Sequence, residues 1–397
     1  MSFSVSTLGE LSLGGGKYGI AASAVDFDAK LPAYLRITDI NDDGTLNWND
    51  RKSVNDSDAY KYMLSEGDIV FARTGNSTGR NYYYDSRDGE FAFAGFLIRF
   101  SLDDKKVNPR YVKYYAQSKA YWDWIASFNT GSTRGNINAK TYAQMPVPLP
   151  DRSTQDSIVM LCDSISNKIR LNTKLNGYLE ELAALEFSRR FGEIESSIDL
   201  GKVLSISTKT LKPQNCHGEI WEHYSIPAYD ANRRPVFELA DGIKSNKYVI
   251  DANCILISKL NPSSRRIWMP ACSSKRAVCS TEFIVYKPKN PVHKAFYYAA
   301  IGAPAFRDFL LAHVTGSTGS RQRTQPKATL TYPIPNPGLE AVEDFCAFAN
   351  PLYEQIKVNE RNSKQLEELR DALLPKLMTG EIDVSKLDLK QLNSHLA

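Results

Sequence analysis

Residues 175–187 read LNGYLEELAALEF, and residues 362–374 read NSKQLEELRDALL. The tetrapeptide LEEL begins at Leu179 and again at Leu366, 187 positions later, each time inside a long run of helix-forming residues. The interval is close to half of the 397 residues. This spacing favours a duplicated chain, and a duplication predicts that other features recur at nearly the same interval.

Four further pairs of segments recur in the same order, at intervals of 185 to 188 positions. Such an interval is far longer than the repeat of a solenoid protein. The sequence therefore predicts two copies of a unit that consists of a domain followed by a helix. The pairs are GDIVFARTGNSTGR (67–80) with ANCILISKLNPSSR (252–265), TGSTRG from Thr130 with TGSTGS from Thr315, MPVPLP (145–150) with YPIPNP (332–337), and FGEI (191–194) with TGEI (379–382).

The composition is that of an ordinary soluble globular protein, with 42% hydrophobic and 24% charged residues. No stretch approaches 18 apolar residues, and the opening MSFSVSTLGELSLGGG lacks the basic and apolar regions of a signal peptide. We therefore expect a cytoplasmic protein without membrane contact. The six cysteines contain no CxxC pair, which favours free thiols and no metal site. A net charge of +4 permits nucleic-acid binding without requiring it.

The runs around LEEL carry apolar residues at seven-residue spacing, which is typical of a coiled-coil seam. A seam must be covered by another helix, so we expect the two runs to pair as antiparallel helices. About 35 residues of helix make a rod on the order of 50 Å long. The predicted seam positions are Ile158, Ile165, Asn172, Leu179 with Leu161, Lys168, Leu175, Leu182 in the first copy, and Phe345, Leu352, Asn359, Leu366 with Phe348, Gln355, Asn362, Leu369 in the second.

Asn172 and Asn359 occupy the same seam position near the middle of each predicted helix. A buried asparagine lowers stability but fixes register, because a slipped pairing leaves its amide without a partner. We predict this register role for both residues. The alternative is an ordinary polar residue that faces water.

The fold class that these patterns predict is α+β, with two similar mixed domains separated by two long antiparallel helices and related by internal pseudo-two-fold duplication. Short β-favouring runs such as DIVFAR and EFAFAGFLIRF indicate a twisted sheet in the first domain. Each copy also predicts one aromatic-rich helix, over 109–128 and 291–314. The predicted boundaries are 1–150 for the first domain, 151–191 for the first helix, 192–340 for the second domain, and 341–397 for the second helix with a C-terminal tail.

The chain resembles the specificity subunit of type I restriction-modification systems. The likeness covers essentially the whole chain and rests on GDIVFARTGNSTGR, the TGST segment followed by MPVPLP, the helix from Gln155 to Phe187, and ALLPKLMTGEIDVSKL near the C-terminus. None of these motifs is catalytic, and their order and duplication carry the match. The second copy departs from the first where NCILISKLNPSSRR replaces the glycine-spaced loop, so the resemblance there is looser.

The resemblance implies two target-recognition domains, each of which reads one half of a bipartite double-stranded DNA sequence. It implies that the helices act as a ruler and dock two modification (methyltransferase) subunits, with restriction subunits joining the full complex. Cofactors are expected in those partners and none in this chain, so that S-adenosylmethionine, ATP and Mg would bind the partner subunits.

Candidate DNA-binding residues lie in two polar loops of each copy, since DNA recognition needs cations for phosphates and planar polar groups for base edges. The alternative is that these are solvated polar loops. The candidates are Arg73, Thr74, Asn76, Ser77, Thr78, Arg80, Ser132, Thr133, Arg134 and Asn136 in the first copy, and Lys259, Asn261, Ser263, Arg265, Arg266, Ser317, Thr318, Arg321, Arg323 and Lys327 in the second. Among them we expect Arg80 and Arg265, aligned at an interval of 185, to matter most.

The sequence argues against catalysis by this chain. Neither GNSTGR nor GSTGSR fits the phosphate-binding GxxxxGK[ST] pattern, and Asn261-Pro262 is followed by Ser263 rather than by the rest of a methyltransferase motif. Three other interpretations stay open. The partner could combine methylation and cleavage in one polypeptide, the chain could be a coiled-coil adaptor that does not bind DNA, or it could be an enzyme with its own cofactor pocket.

Overall fold

The computed structural model describes residues 3–47, 50–128, 136–195, 197–315 and 322–386. The chain packs as two compact units. The first combines the chain up to Arg170 with the chain from Ser363 onward, and the second is Leu171–Asn362. Each unit therefore contains one domain together with one half of each long helix.

The first unit is built from short strands and short helices. The strands are β1 (Ser4–Thr7), β2 (Lys17–Tyr18), β3 (Ala24–Asp26), β4 (Ala33–Leu35), β5 (Lys52–Val54), β6 (Asp68–Ala72), β7 (Asn81–Tyr83), β8 (Phe91–Phe93), β9 (Leu97–Ser101) and β10 (Pro146–Leu149), and the short helices are α1 (Pro109–Tyr115), α2 (Lys119–Ala126) and α3 (Ala139–Ala143). The strands form two four-stranded sheets, in the orders β2-β9-β6-β7 and β3-β5-β4-β8, and the separate pair β1-β10. The long helix α4 (Arg152–Phe191) follows and is divided between the two units.

The second unit repeats this plan. Its sheets run in the orders β12-β20-β17-β18 and β13-β16-β19-β14-β15, with the pairs β11-β23 and β21-β22. The strands are β11 (Ser197–Asp199), β12 (Leu204–Ser207), β13 (Thr210–Leu211), β14 (Ile220–Tyr224), β15 (Val236–Leu239), β16 (Lys247–Val249), β17 (Ile255–Ser258), β18 (Ile267–Trp268), β19 (Ala277–Ser280), β20 (Phe283–Pro288), β21 (Val314–Thr315), β22 (Arg323–Thr324) and β23 (Pro333–Pro335), and the helices are α5 (Leu200–Val203), α6 (Ile226–Asn232), α7 (Lys294–Gly302), α8 (Pro304–Ala312) and the long α9 (Leu339–Met378).

Strand β6 separates two hydrophobic cores of the first unit and is buried along its whole length. Because successive side chains of a strand point to opposite faces, Ile69 and Phe71 enter the core that contains the aromatic helices. Val70 and Ala72 enter the other core. A strand buried on both faces reads as a continuous apolar run, which is why DIVFA shows no alternation in the sequence.

Strand β17 has the same role in the second unit. Ile255 and Ile257 pack into the core with the aromatic helix α7, and Leu256 packs into the core on the other face. The two copies therefore place equivalent strands between equivalent cores. This arrangement confirms the predicted fold class and its internal duplication.

The predicted aromatic helices are each interrupted, which corrects the expectation of one continuous helix per copy. In the first copy Ser118 has extended backbone and its hydroxyl accepts a hydrogen bond from the Tyr121 N–H, so α2 starts anew. In the second copy Ala303 is extended and Pro304, which has no N–H to donate, opens α8. The helical spacing of the aromatic residues did not reveal these breaks.

The two long helices, 40 residues each, run antiparallel, as predicted. In the first unit Ile158, Leu161 and Ile165 of α4 share a core with Leu374 and Leu377 of α9. In the second unit Phe187, near the end of α4, packs on Phe345, near the start of α9, with ring centroids 5.5 Å apart. Asn172, earlier in α4, contacts Asn359, later in α9, so the two helices run in opposite directions.

Asn172 and Asn359 are both buried within the second unit. The Asn172 amide donates to the backbone carbonyl of Asn359 at 3.4 Å, and the Asn359 amide donates to Asn176 Oδ1 at 2.7 Å. Gln355 Nε2 donates to Asn359 Oδ1 at 2.8 Å. The predicted role of both asparagines in setting register remains a prediction, and this geometry is the basis for testing it.

The predicted seam is wrong in one part. Leu175 and Leu182 of α4, placed in the seam by the seven-residue pattern, are exposed, whereas Ala183 and Phe187 are buried. The predicted seam positions Gln355, Asn362 and Leu369 of α9 are exposed as well. A straight α-helix drifts by about 20° per heptad relative to a strict seven-residue repeat. The buried face of α4 therefore moves away from the predicted positions toward the end of the helix.

The linear domain boundaries at residues 150, 191 and 340 stay a prediction. The helices begin at Arg152 and Leu339, close to those boundaries. No helix in the described ranges combines the length and apolar character needed to cross a bilayer.

Candidate nucleic-acid interface

The first candidate loop follows β6 and holds two glycines in left-handed backbone conformation, Gly75 with φ +73° and Gly79 with φ +92°. A Cβ at Gly79 would lie 2.8 Å from Ile125 Cγ2 and 2.9 Å from Trp122 Cζ3, whereas a Cβ at Gly75 meets open space. The loop closes where the Ala72 N–H donates to the Arg80 carbonyl at 2.7 Å. Gly79 thus lets the loop pack onto the aromatic helix below it.

The second candidate loop of the first unit joins the first loop directly. Thr74 and Asn136 form an isolated antiparallel β-bridge, and the Ile137 N–H donates to the Arg73 carbonyl at 2.9 Å. Thr74 and Asn136 are 62 positions apart in the sequence, and their pairing makes the two loops one surface. The candidates Ser132, Thr133 and Arg134 lie outside the described residues.

The second unit builds the same junction from different residues. Leu260 and Arg323 form the isolated bridge, and the Thr324 N–H donates to the Lys259 carbonyl at 2.9 Å. Asn261, with φ +48°, donates its N–H to the Gln322 carbonyl at 2.9 Å. The candidates Ser317, Thr318 and Arg321 lie outside the described residues.

A third segment belongs to this junction and was missed in the sequence. The Arg73 N–H donates to the Phe96 carbonyl at 3.1 Å, and the Lys259 N–H donates to the Glu282 carbonyl at 3.0 Å. Phe96 and Glu282 stand at the turns that lead into β9 and β20. Their interval of 186 positions matches the duplication, and that interval is the signal that could have revealed them.

Several candidate arginines bond to carboxylates of their own unit. Arg80 Nε lies 2.7 Å from Asp42 Oδ1. Arg266 Nε lies 2.6 Å from Asp230 Oδ1. The Arg73 guanidinium lies over the Tyr18 ring, 5.1 Å from its centroid. The Arg80 and Arg266 side chains are only 28% and 14% exposed, so these partly buried pairs hold both guanidinium groups in place.

Arg323 is held by a carboxylate at the junction itself. Its Nε lies 3.0 Å from Glu282 Oε2 and its Nη2 lies 3.1 Å from Glu282 Oε1. These hydrogen bonds raise the pKa of Arg323. The paired contacts fix the plane of the guanidinium at the surface.

The remaining candidates differ in exposure. Ser77 is buried, and Thr78 donates its hydroxyl to the Gly75 carbonyl at 2.8 Å within the loop. Thr74, Lys259 and Asn261 are half-buried. The side chains that face solvent are those of Asn76, Asn136, Ser263, Arg265 and Lys327. Their contact with DNA stays a prediction.

Among the residues that the structure describes, no group of three or more His, Cys, Asp or Glu side chains is placed to hold a metal ion. The junction offers cations, amides and one aromatic ring instead, which are groups suited to phosphates and base edges.

Residues 10–181 match the family described as the type I restriction modification DNA specificity domain. The chain is 21% identical to the HindI type I restriction enzyme specificity subunit of Haemophilus influenzae, covering 81% of this chain and 88% of that relative. It is 23% identical to the MjaIX specificity subunit of Methanocaldococcus jannaschii, covering 71% of each chain.

The fold is similar to the crystal structure of the type I restriction-modification system S subunit from M. genitalium, with a TM-score of 0.53 and 15% identity. That similarity covers 94% of this chain and 96% of the other. The family match covers the first copy, the relatives extend over most of the chain, and the duplicated fold is shared. Residues 10–181 therefore belong to the type I restriction modification DNA specificity domain family, and most of the chain is similar to type I restriction enzyme specificity subunits.

Proposed function

We propose that each unit reads one half of a bipartite double-stranded DNA target through its three-segment junction. One observation carries this proposal. Arg73 and Lys259 bind the same two neighbouring segments through the same backbone atoms, while the side chains that the two junctions expose differ. Equivalent frames with different side chains suit a protein that reads two different half-sites.

The antiparallel helices α4 and α9 would set the distance between the half-sites. One extra heptad in each helix adds about 10 Å of helix, which corresponds to roughly three base pairs of duplex at 3.4 Å each. Inserting a heptad after Arg170 and another after Asn362 should lengthen the non-specific spacer by about three base pairs. A variant that assembles but keeps its original spacer would contradict the ruler function.

The helices would also dock the modification subunits. On the second half of α4, Leu171, Leu175, Tyr178, Leu182 and Leu185 are between 43% and 61% exposed. Their spacing of three and four residues puts them on one face of the helix. Such an apolar stripe suits packing against the helices of another subunit, and we propose two modification subunits, with restriction subunits in the full complex.

As a specificity subunit, this chain is the non-catalytic member of its complex. We propose that methyl transfer, ATP hydrolysis and cleavage reside in the partner subunits, which would bind S-adenosylmethionine, ATP and Mg. We place the assembly in the cytoplasm, where it meets DNA.

The test is methylation-sensitive sequencing of host DNA with and without this chain, with the modification subunit present in both samples. A gapped two-part motif that is methylated only when the chain is present supports the proposal. Identical methylation in both samples would overturn it and favour the adaptor interpretation.

A further inference from the structure

The Phe96 side chain is exposed, although the phenylalanines of the preceding strand β8 are buried. The turn that carries it connects β8 to β9, and Phe91 and Phe93 of β8 are buried while Phe96 is 58% exposed. Its carbonyl accepts from the Arg73 N–H, so its backbone is fixed at the junction. The phenyl ring therefore adds nothing to the core and presents an apolar surface beside the candidate loops.

Asn136 lies on the other side of Arg73. The Arg73 N–H donates to Phe96 and the Arg73 carbonyl accepts from Ile137, so one residue holds both segments. Asn136 is exposed and pairs with Thr74 through its backbone. Phe96 and Asn136 thus flank a single backbone position.

The second unit has a different pair in the same two places. Lys259 holds Glu282 through its N–H and Thr324 through its carbonyl, and Arg323 forms the bridge that Asn136 forms in the first unit. Glu282 replaces Phe96, and Arg323 replaces Asn136. The backbone contacts are the same in both units, but the first unit presents an apolar and an amide side chain where the second presents an acidic and a cationic one.

These two pairs match the two kinds of base pair in the major groove. An apolar side chain contacts the thymine methyl group, and asparagine bonds adenine N6 and N7; arginine bonds guanine O6 and N7, and glutamate accepts from cytosine N4. We propose that Phe96 with Asn136 reads an A·T pair in one half-site, and that Arg323 with Glu282 reads a G·C pair in the other.

In the second unit Glu282 also acts as a positioning residue. Its two contacts to Arg323, at 3.0 and 3.1 Å, leave carboxylate lone pairs for a cytosine amino group. The guanidinium is oriented before DNA arrives, which reduces the ordering that binding requires. This inference rests on the proposed reading of half-sites by the two junctions.

The first experiment uses the wild-type complex with its modification subunits and the motif found by methylation sequencing. Each thymine of the motif is replaced in turn by uracil, which lacks the 5-methyl group, and each guanine by 7-deazaguanine, which lacks N7. We expect one uracil in one half-site to weaken binding about fourfold, and one 7-deazaguanine in the other half-site to weaken it roughly tenfold.

The same analogues are then tested on variants. Phe96→Ala should abolish the response to uracil, Phe96→Leu should restore part of it, and Arg323→Ala should abolish the response to 7-deazaguanine. Glu282→Gln should reduce the 7-deazaguanine response and leave the uracil response unchanged. The matched controls are Tyr60→Ala, an exposed aromatic residue of the first unit, and Arg276→Ala, an arginine paired with Glu219 in the second.

The outcomes separate this inference from the proposed function. A bipartite motif whose uracil and 7-deazaguanine responses persist in Phe96→Ala and Arg323→Ala overturns the inference while the proposed function stands. Insensitivity of the wild-type complex to every analogue overturns it without any variant having to fold. Absence of any chain-dependent motif overturns the proposed function itself.

Discussion

Asn359 and Asn176 are joined across the two long helices by a side-chain hydrogen bond of 2.7 Å. Asn359 Oδ1 also accepts from Gln355, so Asn359→Ala removes two side-chain hydrogen bonds at a buried position, while the backbone carbonyl that accepts from Asn172 remains. We expect it to lower the free energy of unfolding by about 1–3 kcal/mol, measured by urea denaturation. Asn362→Ala, at an exposed position of the same helix, is the control. Equal losses in the two variants would show that the buried asparagine contacts contribute nothing.

Alanine substitutions at the two loop glycines, Gly75 and Gly79, distinguish the cost of backbone strain from the cost of a steric collision. Both have positive φ, so alanine at either costs about 1 kcal/mol of strain. Only at Gly79 would the added methyl group collide with Ile125 and Trp122, which adds about 1–3 kcal/mol. We expect Gly79→Ala to lower the denaturation midpoint clearly more than Gly75→Ala. The reverse order would mean that the loop does not pack on α2 as described.

Asp85 pairs with Arg170 of α4. We expect its carboxylate to make the stability of the first unit depend on pH in the acid range. The hydrogen bonds from Arg87 hold the pKa of Asp85 at about 2, and Arg170 lies 3.5 Å from the same carboxylate. Because the folded pKa is below the ordinary value near 4, the stabilisation is complete above about pH 4 and is lost as the pH falls toward 2.

Asp85→Asn should therefore be less stable than wild type at pH 6, with a difference that narrows between pH 4 and pH 2. Thermal denaturation over this range measures it. Asp58→Asn, at an exposed carboxylate that pairs only with Lys61 among its described contacts, should differ little from wild type throughout. If the difference in stability between Asp85→Asn and wild type stays constant down to pH 2, the lowered pKa of Asp85 is not the cause of that difference.

Arg265 is exposed at the second junction and is suited to a phosphate contact. Removing one phosphate contact lowers the slope of log affinity against log salt concentration by about one. We expect Arg265→Ala to show this change with little loss of sequence preference, measured by fluorescence anisotropy of the complex on DNA at several salt concentrations. Arg276→Ala removes the same charge from the same unit and should leave the slope unchanged. Identical slopes for the two variants would remove Arg265 from the interface.

The apolar stripe on α4 gives a test of docking. Leu175→Asp with Leu182→Asp changes two exposed residues, so the chain should keep its stability. Its binding of the modification subunit should fall by about tenfold or more, measured by analytical ultracentrifugation. Leu13→Asp, at an exposed leucine outside the helices, is the control. Full assembly of the double variant would place the docking surface elsewhere.

The sequence was informative where the signal repeats along the chain. LEEL and the paired segments predicted the duplication and the antiparallel helices, and the candidate loops include two of the three segments that meet at each junction. Periodicity failed at Leu175 and Leu182, because helix geometry drifts away from a seven-residue repeat. It also failed at Ser118 and Pro304, where a serine cap and a proline break the aromatic helices.

Sequence periodicity and repeats do not predict which side chains far apart along the chain bond to each other. Arg80 bonds to Asp42 and Arg266 to Asp230, at separations of 38 and 36 residues, so these two candidate arginines already have carboxylate partners within their units. Phe96 and Glu282 were missed because they differ in chemistry. The shared backbone contact with Arg73 or Lys259, together with their interval of 186 positions, identifies them as equivalent.

The division of each long helix between the two units has a consequence for synthesis on the ribosome. The core of the first unit includes Leu374, Leu377 and Met378 from the end of α9, which emerge after the whole second domain. At 5–20 residues per second, the roughly 200 residues in between delay closure of that core by on the order of 10–40 s. During this interval the apolar face of α4 near Ile158 and Ile165 stays open, so the first domain must wait for the last helix to complete its fold.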